Sequence, residues 1–132
     1  MPVSAPGIAA SAAMQLLFKL SAANLQLTTD QPFTKLFGGA SYMPIAIVAR
    51  QRSGAASVAC VGGIYDGAAK SGNIIAAAAI SWVTLAAAVS VVVPVANLLQ
   101  TAVLSATPIL SLTTGSTAAC TADFFIFGVD IS

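Results

Sequence analysis

The chain has 132 residues, 58% of them hydrophobic and 7% charged, with five Lys/Arg against four Asp, and no Glu or His. Soluble domains carry about 25% charged residues, so the apolar surplus, at a mean hydropathy of +0.92, has to face lipid or other protein subunits. The charge also excludes two function classes: Arg50 and Arg52 are the only close basic pair, too little for binding nucleic acid through its phosphates, and without His or Glu the usual general bases are missing.

Residues 1–22 form a Pro/Ala/Ser-rich stretch leading into Met14–Leu20. Its first charge, Lys19, follows the apolar part, which is the wrong order for an export signal. The expectation is an extended N-terminal arm over 1–22, ordered by contacts with a neighbouring subunit and disordered when free. Ordering such an arm costs roughly 1–2 kcal/mol per residue. The domain itself is expected over 23–132.

Asn24–Thr29 alternates Leu25 and Leu27 with polar neighbours, a period-2 strand signal. Asp30-Gln31-Pro32 reads as a turn, and Phe33–Phe37 as a short strand ending at Gly38-Gly39. Tyr42–Arg52 is the next strand. Strict alternation puts Met43, Ile45, Ile47 and Ala49 on one face, and Tyr42, Pro44, Ala46, Val48, Arg50 and Arg52 on the other. Pro44 cannot donate to a ladder and belongs at an edge or a strand start. After a turn at Ser53-Gly54, Ser57–Tyr65 returns as the expected antiparallel partner of that strand. Gly62-Gly63 within it predicts a bulge or a close backbone approach.

Asp66–Asn73 is a polar, glycine-rich loop, and Ile74–Ile80 runs apolar. A short helix fits Trp82–Ala88. Val89–Val95 is β-branched and reads as a strand, followed by another over Val103–Thr113 and a turn at Thr114-Gly115-Ser116. The last strand is Ala122–Ile131, with Phe125, Phe127, Val129 and Ile131 on one face, and Phe124, Ile126, Gly128 and Asp130 on the other. Both faces are largely apolar. One meets the core, so the other has to be covered by another strand, the arm or a second subunit. Short strands with regular turn signals predict an all-β, single-domain antiparallel β-sandwich of jelly-roll or Greek-key type.

Ile74–Val93 is long enough to cross a bilayer as a helix. Its Ala content, its Ser81, Thr84 and Ser90, the absence of flanking basic clusters and the proline-punctuated strand grammar around it favour a sheet. A holin-like membrane span stays as the alternative.

No catalytic residue, cofactor site or metal site is expected. The four Asp are scattered at 30, 66, 123 and 130, and none lies in a calcium-loop pattern. Cys60 and Cys120 lie in no metal-binding pair; they read as two buried small hydrophobes, with a disulfide between their strands as the alternative. Lys70 fits a solvated loop lysine; a Schiff-base role requires burial. Trp82 and the C-terminal phenylalanines fit core or interface anchors. Subunit-interface residues are expected at Tyr42, Arg50, Arg52, Phe124 and Ile126, with Arg50 and Arg52 either meeting Asp on a neighbour or lying on a solvated edge.

Two stretches, VGGIYDGAAKSGNI (Val61–Ile74) and LSLTTGSTAACTADFFIFGVDI (Leu110–Ile131), resemble small virion structural proteins of tailed bacteriophages and prophages. Those carry a GGIY-T-A-A-x-K-G-G hairpin and, later, an LYLSLTT…TADVYVYGxxL terminal pattern; here Asp66-Gly67 stands where that pattern has Thr-Ala. The resemblance implies a capsid decoration, or cement, protein in the virion, assembled in the host cytoplasm. Its partners would be the major capsid protein and further copies of itself, as a trimer or dimer, with no nucleic acid and no membrane. A tail or neck structural protein is the neighbouring reading.

Overall fold

The computed structural model describes residues 14–54, 59–78, 80–82, 90–93 and 103–131. Nine strands are assigned among them: β1 (Met14–Asn24), β2 (Gln31–Pro32), β3 (Thr34–Lys35), β4 (Tyr42–Gly54), β5 (Val61–Tyr65), β6 (Ile74–Ala76), β7 (Ser90–Val93), β8 (Ile109–Thr114) and β9 (Cys120–Asp130). They form two antiparallel sheets, ordered β3-β1-β9-β4-β7 and β2-β8-β5-β6. The protein is an all-β sandwich, as the alternation predicts.

The long strand β9 is the spine. It pairs with β1 from Met14↔Val129 to Asn24↔Thr121, and on its other edge with β4 from Tyr42↔Asp130 to Gly54↔Cys120. Alternation along β9 sends Phe124 and Ile126 inward, both 0% exposed, while Phe125, Phe127 and Val129 are only partly buried. The core between the sheets is built from Phe18, Ile47, Phe124 and Ile126 on one side, and Ile64, Ile75, Leu110 and Leu112 on the other, with Trp82 among them. Edge-to-face contacts organise it: Trp82 meets Phe124 at 5.1 Å between ring centroids, and Phe18 meets Tyr42 at 4.8 Å. Such pairs add about 0.5–1.5 kcal/mol beyond area burial. The Trp82 indole N–H donates to the Gly62 carbonyl, so the largest core side chain has its one polar atom satisfied.

Several expectations are corrected. Residues 14–22 are not an arm: they are most of β1 and belong to the sandwich. Residues 1–13 lie outside the described residues. The strand expected over Asn24–Thr29 is instead the end of β1 and a turn. In β4 the predicted faces hold only in part, because a bulge between Pro44 and Ala46 resets the alternation. Tyr42 and Pro44 are buried before the bulge, and Ile47, Ala49 and Gln51 after it. A bulge in β1 between Leu16 and Phe18 likewise lets the consecutive Leu17 and Phe18 both bury.

β5 is not the partner of β4. It lies in the other sheet between β8 and β6. The predicted irregularity at Gly62-Gly63 is present as a register shift between Val61 and Gly62, and a Cβ on Gly62 would collide with the backbone of Leu112 on β8. Within the apolar run 74–93, β6 and β7 belong to different sheets, and no helix among the described residues is long and apolar enough to cross a membrane. The helix expected over Trp82–Ala88 falls, beyond Trp82, outside the described residues.

The inward phase of β9 makes a direct test. Phe124→Ala should cost about 3–5 kcal/mol in urea unfolding, as for other buried phenylalanines. Phe125→Ala, one residue along on the outer face, should cost less than half as much in the same assay.

Candidate functional site

The outward side of the five-stranded sheet is the most distinctive surface. Its rows follow from the register: Met14, Val129 and Met43 lie side by side, then Leu16, Phe127 and Ala46, then Lys19, Phe125 and Val48. Apart from the exposed Met14, these side chains are partly buried. Eight of the nine are apolar. The exception, Lys19, lays its ammonium 5.5 Å from the centroid of the Phe125 ring, a cation–π arrangement that keeps its stem on the apolar surface. A sheet face of this kind offers apolar area for packing.

Charge gathers at one end of this face. Arg50 sits opposite Asp123 in the β4–β9 register. Arg52 Nη1 lies 3.3 Å from Asp123 Oδ1, and the same oxygen accepts the backbone N–H of Ala22 at 2.8 Å. The ion pair is half open to solvent and worth little by itself. Its geometric role is clearer, since Ala22 has a left-handed φ of 52° at the second register shift in β1, and Asp123 holds that kink.

The interface residues expected from sequence divide accordingly. Arg50 and Arg52 are exposed, but Arg52 meets an Asp of its own chain. Tyr42, Phe124 and Ile126 are corrected: all three are 0% exposed within the protomer and have no surface to offer a neighbour. Tyr42 donates its hydroxyl to the Ala106 carbonyl at 2.6 Å, and burial raises its phenol well above the ordinary value. The neighbours of Phe124 and Ile126 in the opposite phase, Phe125 and Phe127, are the β9 phenylalanines that reach the outer face. Asp123 shares their phase and marks it as the outer one. That signal was cancelled by Asp130 in the opposite phase, whose carboxylate is occupied by the Gly39 N–H.

A second polar cluster lies on the outer side of the other sheet. Ser111 on β8 is buried beneath the 66–73 loop. It donates to Asp30 Oδ1 at 2.9 Å and receives the Lys70 ammonium at 3.1 Å. Asp30 Oδ2 accepts the N–H of Ala69 at 2.7 Å. Ala69 and Lys70 both have left-handed backbone, φ 54° and 63°, which costs non-glycine residues of order 1–3 kcal/mol each. The cluster therefore clamps a strained turn. Lys70 is exposed but engaged, neither simply solvated nor buried as a Schiff-base lysine would be. Asp66 clamps the same loop by accepting the backbone and side-chain N–H groups of Asn73.

Cys60 and Cys120 are both buried free thiols. Among the described residues no group of three or more His, Cys, Asp or Glu is placed to hold a metal ion. Comparison with protein-family models, curated proteins and solved structures finds no match to this chain.

The bonds from Ala69 and Ser111 hold the Asp30 carboxyl below its ordinary value of 3.8. A carboxyl depressed in the folded state stabilises above its unfolded pKa, and that contribution fades as pH falls through the folded one. The melting temperature of the wild type should therefore drop more steeply below about pH 4 than that of Asp30→Asn. Parallel acid limbs in a pH series of thermal melts would remove Asp30 from this role.

Proposed function

We propose that this protein is a structural component of a bacteriophage virion, a capsid decoration or cement protein that stabilises the head by packing on major capsid subunits. The observation that carries the reading is the outer face of the five-stranded sheet, apolar across β1, β9 and β4 and centred on Phe125 and Phe127. In a chain with 7% charged residues, such a face suits permanent association better than a life free in solution. Contacts between subunits of a shell draw on apolar area and shape, not on an active site.

The resemblance to small virion proteins supports the same reading. Its two stretches correspond to β5, the 66–73 loop and the start of β6, and to β8 and β9, and β5 and β8 pair side by side. A decoration protein occupies many equivalent positions, as a dimer or trimer on a local axis.

Purified particles decide the matter. The protein should be recovered with them at a copy number proportional to the major shell subunit, and heads lacking it should burst at a lower temperature. Phe127→Asp should keep the β circular-dichroism spectrum yet lose particle binding by tenfold or more, the scale of a truncated interface anchor. A low copy number at one vertex or along the tail would assign it to the neck or tail instead. Recovery only in a detergent-extracted membrane fraction would end the virion reading.

A further inference from the structure

The two cysteines belong to different sheets but share one backbone unit. Cys60 leads into β5, and Cys120 opens β9. The Cys60 thiol donates to the Leu25 carbonyl at 3.9 Å, and the Leu25 N–H donates to the Cys120 carbonyl at 3.2 Å. Cys120 has the inward phase of Ala122 and Phe124, and both cysteines belong to the same core cluster. Leu25 thus bonds to both residues, to the Cys60 thiol through its carbonyl and to the Cys120 backbone through its N–H.

Their access differs. Cys60 is 0% exposed, whereas Cys120 is 4% exposed and lines a cleft of about 230 Å³ with Asn24, Gln26, Ser53, Gly54 and Thr121. Ala119 completes the wall, which carries no charged side chain and is more apolar than polar at its surface; Ser53 and Thr121 share a hydrogen bond at 2.6 Å. The cleft suits a small, uncharged molecule.

We propose that Cys60 and Cys120 are a latent inter-sheet disulfide, closed by a small uncharged organic disulfide that enters through the cleft and reacts first at Cys120. The Cys120 thiol loses its proton to solvent, and its sulfur attacks one sulfur of the reagent. A mixed disulfide forms and the first small thiolate leaves, taking up a proton. Cys60 then gives up its own proton and attacks the Cys120 sulfur. The Cys60–Cys120 bond forms and the second small thiol leaves. The protein loses two protons and two electrons, and the reagent, taking up both, is reduced to two thiols. Burial, with Cys120 close by, pushes the Cys60 thiol up to about 11, which suits it to the second, intramolecular step rather than the first. The bond would tie the entry of β5 to the start of β9 across the layers.

The test treats folded wild-type protein with 2-hydroxyethyl disulfide, followed by acid quench, alkylation under denaturing conditions, intact mass and peptide mapping. The expected product is a monomer lacking both alkylatable thiols, with Cys60 joined to Cys120, preceded by a transient mercaptoethanol adduct on Cys120. Its melting temperature should rise by roughly 10 °C, as a cross-link closing a long loop implies. Cys60→Ala should stall at the adduct on Cys120, and Cys120→Ala should stay unmodified over the same period. Two thiols still alkylatable in the wild type, bonds only between molecules, or a first adduct on Cys60 would each overturn the proposal; the wild-type outcomes do not depend on how the variants fold.

Discussion

The structure depends first on β9 being paired along both edges. A strand with β1 on one side and β4 on the other has its backbone groups satisfied in the ladder, so its side chains are free to be apolar on both faces. That constraint fixes the phase of Phe124 and Ile126 toward the other sheet and of Phe125 and Phe127 away from it. The neighbours take their phase from β9, since a one-residue slip would turn every side chain to the wrong face. Bulges in β1 and β4 absorb the mismatches without breaking the pairing.

The scarce charge has a consistent use. Each of the four Asp accepts a backbone N–H: Asp30 from Ala69, Asp66 from Asn73, Asp123 from Ala22 and Asp130 from Gly39. Two of these donors, Ala22 and Ala69, are non-glycine residues with positive φ. Asp123 and Asp30 thus sit where the chain bends against its own preference, and charge-assisted bonds of this kind are about twice as strong as neutral ones. The acidic residues therefore shape turns, which agrees with their scatter along the sequence.

Much of the fold was legible as period-2 alternation, above all in Ala122–Ile131 and in the second half of Val103–Thr113, where the strand is Ile109–Thr114; residues 103–108 hold only a bridge from Leu104 to Tyr42. Tyr42–Arg52 was legible as a strand but not in its faces, since the bulge after Pro44 leaves no mark in the residue pattern. Ser57–Tyr65 was placed beside its sequence neighbour by the default of a hairpin; the chain instead crosses to the other sheet, a choice made by tertiary packing around Trp82 and Leu112. Met14–Leu20 resembled an arm because its pairing partner, β9, lies more than a hundred positions away. Of the outer sheet face, β4 and β9 are legible as strands, but the outward phase of β9 is not, since an Asp falls in each phase.

That separation has a consequence for how the molecule comes into being. The Ala22–Asp123 bond joins positions 101 apart, and Arg52–Asp123 joins positions 71 apart. During synthesis β1 and β4 emerge long before the strand that lies between them. Until β9 arrives, the edges of β1 and β4 that pair with it are open. Such long-range closure folds slowly, and unfinished chains with bare edges stick to one another. The spine of the finished sandwich is therefore the last of its described strands to appear, and the interval before it does exposes the chain to aggregation.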